Sequence, residues 1–131
     1  MADHPNAANL RKGYEAFKKQ DLDAISDLFA DNITWHVPGT SPLAGDYKGK
    51  EEVFGFFMKT IELSGGTFAI DVHDVLANDE HGVALVHVTG ERSGKRLDQN
   101  QAHVFHVDSD GKATEFWNMP EDLASLDDFW S

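Results

Sequence analysis

Apolar residues near the start of the chain recur at helical spacing. Ala7, Leu10, Tyr14 and Phe17 follow one another at steps of three and four, which places them on one face of an amphipathic helix, and Pro5 suits its first turn. The side chain of Asp21 can accept from the free N–H groups of a helix start. It predicts the N-cap of a shorter second helix in which Leu22, Ile25, Leu28 and Phe29 share a face. From Asn32 to Val37 β-branched and aromatic residues predict a strand that stops at Pro38-Gly39, and Pro42, Gly45 and Gly49 predict a long loop. Residues 51–63 carry Val53, Phe54, Phe56, Phe57, Met58, Ile61 and Leu63, so a third helix is expected there, apolar around most of its circumference and buried.

Beyond Gly65-Gly66 the period shortens to that of strands. Four strand-like stretches, roughly 67–77, 82–92, 95–107 and 112–119, are separated by Asn78-Asp79, Ser93-Gly94 and Asp110-Gly111, which are hairpin turn signals. Pro120 then opens a terminal segment in which Leu123, Leu126 and Phe129 keep helical spacing. With Ser93-Gly94 as the turn, Arg92 opposes Lys95, Val88 opposes Gln99, Val86 opposes Gln101 and Ala84 opposes His103. Opposed residues share a face. Alternation therefore sets His103, Phe105 and Val107 on one face, and Leu85, His87, Ala102, Val104 and His106 on the other. Helices first and a meander after them predict an α+β arrangement, with one face of the sheet covered by helices.

The length of 131 residues fits one domain over 1–131, and 40% hydrophobic with 26% charged residues are globular proportions. The formal charge of -12 repels phosphate backbones and anionic lipid, which argues against nucleic acid and membrane as partners. Without cysteine there is no disulfide scaffold and no thiolate nucleophile. Met1 to Leu10 has neither a basic nor an apolar leader region, and no apolar run approaches the ~20 residues of a membrane span, so a cytoplasmic address is expected. His103 and His106, three apart on a strand, point to opposite faces and do not chelate one ion, so neither metal nor other cofactor is expected.

The order of elements and the stretches Asp-Leu-Asp-Ala-Ile-Ser-Asp-Leu-Phe-Ala-Asp (21–31), Trp-His-Val-Pro-Gly (35–39), Ser-Pro-Leu-Ala-Gly (41–45) and Asp-Gly-Lys (110–112) resemble the SnoaL-like branch of the nuclear transport factor 2-like superfamily. That superfamily also holds ketosteroid isomerase and limonene epoxide hydrolase. The resemblance implies a cone-shaped half-barrel, a curved mostly antiparallel sheet covered by three N-terminal helices around an internal pocket. It places His103 at the isomerase's oxyanion-hole aspartate, turns Phe116 and Asn118 inward, and sets Asn118 where epoxide hydrolases carry a catalytic aspartate. Matching the loop from Gly39 to Gly45 puts His36 at the general-base position, whereas matching from the helix hairpin puts Val37 there. His36 is preferred, because epoxide hydrolases also place a polar pocket residue two before this proline. Tyr14 falls one position from the isomerase's oxyanion tyrosine.

The pocket inventory that follows is Tyr14, Thr34, His36, Gln99, Gln101, His103 and Asn118, with a wall including Phe54, Met58, Val86, Val88, Phe105 and Phe116. The expected ligand is an apolar small molecule bearing a carbonyl or hydroxyl. As an enzyme the protein would transfer a proton next to a carbonyl without a cofactor, with isomerase, cyclase or hydrolase outcomes. His36 would be the base, titrating near pH ~6.5, and His103 with Tyr14 would donate to the developing enolate oxygen. The same groups equally suit a binding protein that only orients its ligand, or an interaction module acting through the outer face. Leu85, Val104 and Trp117 on that face are expected to form a homodimer contact, since soluble monomers seldom leave a large apolar patch in water.

Overall fold

The computed structural model describes residues 3–131, so Met1 and Ala2, which belong to the leader reading, lie outside it. Helix α1 spans Pro5–Lys18, with Pro5 in the first turn and the His4 ring accepting from the N–H of Asn6. Helix α2 spans Leu22–Leu28, and Asp21 caps it by accepting from Ala24 N at 3.1 Å. Strand β1 runs from Phe29 to Val37, beginning three residues before the expected start. The loop that follows contains an unforeseen edge strand β2, Gly45–Lys48, and leads into helix α3, Gly49–Leu63.

Strands β3 (Ala69–Ala77), β4 (His81–Arg92), β5 (Lys95–Val107) and β6 (Ala113–Pro120) form the meander, and helix α4 closes the chain at Leu123–Trp130. Pro120 ends β6 rather than opening α4, whose cap is Asp122, accepting from Ser125 N. The six strands lie in the order β2-β1-β6-β5-β4-β3. All neighbours are antiparallel except β1 and β6, whose parallel pairing joins the first strand to the last and makes the curved sheet mixed. In the β4–β5 hairpin Ala84 faces His103, Val86 faces Gln101 and Val88 faces Gln99, the register that the Ser93-Gly94 turn dictates. Both turn residues have positive φ, 51° and 78°, as a two-residue turn matched to the twist of its strands requires.

All the helices lie against the inner face. Helix α1 packs on β3 and β4, α3 on β1 and β2, and α4 on β5. Two strand glycines make this approach possible. A Cβ on Gly82 would collide with Leu10 of α1, and one on Gly90 would meet Phe129 of α4 at 3.1 Å. Helix α3 buries only one face, through Val53, Phe57 and Thr60, with Met58 48% exposed. The expectation of a fully buried helix is corrected for a geometric reason: α3 sits over the β1–β2 edge of the sheet, where no second layer covers its far side. Helix α4 is tied to the loop after β1 by Asp127, whose carboxylate accepts from Thr40 N at 3.0 Å and Ser41 N at 3.1 Å. This tie holds Leu43 against the core from one side, and Leu126 and Trp130 from the other.

Candidate functional site

A cavity of about 110 Å³ lies between the sheet and the helices. Its sheet wall is built by alternation. Trp35 and Val37 of β1, Gln101, His103 and Phe105 of β5, and Phe116 and Asn118 of β6 all face it. Trp35 stacks on Phe116 with ring centroids 3.7 Å apart and planes inclined by 12°, so the floor is a continuous aromatic surface. Tyr14 and Phe17 of α1, Phe56 and Phe57 of α3, and Leu126 and Trp130 of α4 complete the enclosure.

The polar groups on this wall are few, and among the described residues none is an Asp, Glu, Lys or Arg side chain. Asn6 and Thr60 are committed to backbone carbonyls, those of Asn78 and Phe57. Asn9 also lines the cavity, beside Asn6 at Gly111. The other polar groups form a chain across the sheet. Tyr14 Oη lies 2.6 Å from His103 Nδ1, and His103 Nε2 lies 3.0 Å from Gln101 Oε1. An acceptor oxygen beside Nε2 calls for a proton on that nitrogen, which leaves Nδ1 bare to receive the Tyr14 hydroxyl. His103 is only 5% exposed, and burial lowers its pKa to about 3, so the ring is neutral at pH 7. Burial likewise raises the Tyr14 phenol well above its ordinary range. Asn118, opposite His103 on β6, carries a buried Oδ1 with no hydrogen-bond partner among the described residues.

Several inventory residues lie elsewhere. His36 is on the outer face, its Nδ1 2.7 Å from Asp46 and its Nε2 2.7 Å from Glu115, with its ring stacked on Trp117. Burial lowers its pKa, but the hydrogen bonds and charges of Asp46 and Glu115 together raise it above the ordinary histidine value. Thr34 shares that face and is corrected with it. The residue β1 sends inward is Val37, the alternative register. The strand's own pattern carried the signal, because Asn32, Thr34 and His36 are the polar members of an alternation whose apolar members are Ile33, Trp35 and Val37.

Four further wall residues and Gln99 are also displaced from the cavity. Phe54 packs beside it, stacking on Phe29, and Met58 points to solvent from the uncovered side of α3. Val86 and Val88 are buried on the inner face at 3% and 0% exposure, but other core side chains cover them and they do not line the cavity. Gln99 is spent on fold, donating to Asp122 O at 3.0 Å and accepting from Asp122 N at the start of α4. The lining residues that sequence reasoning missed are chiefly Trp35, Phe57, Leu43 and Trp130. Strand alternation marked Trp35, whereas nothing local marks Leu43, whose loop is tied to α4 by Asp127 and whose carbonyl accepts from the Tyr47 hydroxyl.

Residues 10–116 match the SnoaL-like domain family. The chain belongs to that family. Its SnoaL-like fold is that of the nuclear transport factor 2-like superfamily. "Uncharacterized protein Rv0034" of Mycobacterium tuberculosis (strain ATCC 25618 / H37Rv) is 30% identical over 132 residues, with 100% of both chains covered. The structure of Bal32a, from a soil-derived mobile gene cassette, superposes on this SnoaL-like chain with a TM-score of 0.92 at 37% identity, covering 96% of each. An NTF2-like protein from Burkholderia pseudomallei K96243 shares the fold at 21% identity, with a TM-score of 0.79 and 96% and 97% of the two chains covered. Among the described residues, no helix of this SnoaL-like protein is long and apolar enough to cross a membrane.

Proposed function

We propose that this protein binds an apolar small molecule in the cavity, with Tyr14, His103, Gln101 and Asn118 receiving its one polar end. The observation that supports this reading is convergence: Tyr14, His103, Gln101 and Asn118 lie together on one part of a wall that is otherwise chiefly aromatic and aliphatic. A ligand pocket is of this kind, mostly apolar with a few placed polar groups. Trp35, Phe105 and Phe116 form the surface against which the rest of the ligand packs.

The catalytic reading retains one observation, the 2.6 Å contact between Tyr14 and His103, through which a proton would pass to or from a substrate oxygen. It has lost its base, because His36 lies on the far side of the sheet. A histidine with a pKa of about 3 is a weak proton acceptor at neutral pH. Any turnover carried by Tyr14 and His103 would therefore be flat across pH 6 to 7, with no histidine step there. Binding is accordingly the reading we favour. A homodimer through Leu85, Val104 and Trp117 remains part of the same proposal, supported by the half-exposed apolar strip these residues form on the outer face, and the cytoplasmic address is kept as a proposal beside it.

The test is a screen of small apolar alcohols and ketones for thermal stabilisation, followed by mapping of the hits through amide chemical shifts. A true ligand at a hundred times its Kd stabilises by ~2.7 kcal/mol. Shifts are expected at Tyr14, Trp35, His103 and Asn118. Shifts confined to Leu85, Val104 and Trp117 would move the function to the outer face and overturn the cavity reading.

A further inference from the structure

Resting on that binding role, we infer that the ligand is an uncharged molecule of about one ring that carries a hydroxyl group, held between Tyr14 and Asn118. Size comes first. The cavity of about 110 Å³ approaches the ~150 Å³ apolar cavity known to hold benzene and is well below the ~300–1,000 Å³ of drug-sized sites, so the part of the ligand it buries is about one ring. Charge comes second. An ion entering here would leave its water for a wall that, among the described residues, offers no charged side chain to pair with it, which makes the ionised form of any weak acid or base a poor ligand.

The nature of the polar group follows from counting protons. Gln101 Oε1 takes the one N–H of neutral His103, and His103 Nδ1 takes the phenolic proton of Tyr14. The Tyr14 oxygen then offers only lone pairs to anything beside it. Asn118 Oδ1 is a second acceptor without a donor. A carbonyl or an ether can receive a proton from the Asn118 amide, but it has none to give to either oxygen. A hydroxyl does both, donating to Tyr14 Oη or Asn118 Oδ1 and accepting from the Asn118 amide. Rotation of the amide by half a turn presents either of its ends. The same geometry explains why carboxylates, which only accept, are doubly disfavoured.

Calorimetry on the full chain with matched pairs tests the inference: benzyl alcohol against benzaldehyde, and cyclohexanol against cyclohexanone, with toluene as the apolar control. The alcohol of each pair is expected to bind at least tenfold more tightly than its carbonyl partner. Asn118→Leu, which removes both the amide donor and one acceptor, is expected to weaken alcohol binding at least tenfold while toluene affinity holds, with Asn118→Val as the second variant if the leucine protein does not fold; alcohols bound as tightly by the variant as by the parent would overturn the Asn118 contact. The affinity for a nitrophenol should fall tenfold per pH unit above the nitrophenol's own pKa. Carbonyl partners or toluene binding as tightly as the alcohols would overturn the hydroxyl assignment, and naphthol outbinding phenol would overturn the one-ring size. Failure of every compound to bind, toluene included, would instead refute the cavity-binding role itself.

Discussion

Replacing Asn118 by leucine should make the protein more stable, and the reason lies in one oxygen atom. Asn118 Oδ1 is buried on the cavity side of β6 and receives no hydrogen bond among the described residues. A buried acceptor left unpaired costs ~1–3 kcal/mol, while an apolar group of the same shape at the same place carries no such cost. Leucine is close to asparagine in shape, and its neighbours on this face include Val37 and Phe116. Asn118→Leu is therefore expected to raise the unfolding free energy by ~1–3 kcal/mol, or roughly 3–10 °C in Tm for a chain of this length. Urea unfolding followed by tryptophan fluorescence gives the number, with an unchanged m-value as the check that only stability moved. A gain in stability with a loss of alcohol binding is the pattern of a residue kept for function at the expense of the fold. A variant less stable than the parent by 1 kcal/mol or more would mean that Asn118 is satisfied in the folded protein, and the reasoning from its unpaired oxygen would fail.

Tyr14→Phe strips the donor from His103 Nδ1 and should destabilise by ~1–3 kcal/mol in the same urea assay, even though the ring and its packing survive. The folded-state pKa of His103, about 3, lies below its unfolded value of about 6.5, so the unfolded chain binds the extra proton between them. Stability from its burial is complete above pH ~6.5 and should decline by up to ~1.4 kcal/mol per unit as pH falls toward 3, a slope that His103→Gln flattens. His36 has the opposite sign: its raised pKa contributes stability that is fully present below pH ~6.5 and is lost as pH rises through the folded-state value. His36→Gln should thus cost more at pH 6 than at pH 9, measured as paired melting curves. Gly39 sits at φ 103°, where a Cβ would collide with the Asp127 carboxylate, so Gly39→Ala should break the tie between α4 and the loop and cost ~2 kcal/mol or more by calorimetry.

Local rules carried the elements whose sequence signal is local. The Asp21 cap, the helical stripe from Ala7 to Phe17 and the two-residue turn at Ser93-Gly94 depend only on neighbouring residues. The turn alone determined the whole register of β4 against β5, and with it that His103 and Gln101 share a face, whereas it was the family resemblance that turned this face inward. His36 was misplaced where counting residues back from a loop was preferred to the alternation of the strand itself. A slip of one residue moves every side chain to the other face, so the small error transferred the expected base to the wrong side of the sheet. Tertiary structure decided the remainder. The parallel joining of β1 to β6, the exposure of Met58, the diversion of Gln99 to hold α4, and the arrival of Leu43 at the cavity all depend on partners distant in the chain. The hydrogen-bond chain from Tyr14 through His103 to Gln101 does too, because it crosses 89 residues of sequence to link a helix to a strand, and no periodicity records which two faces will meet.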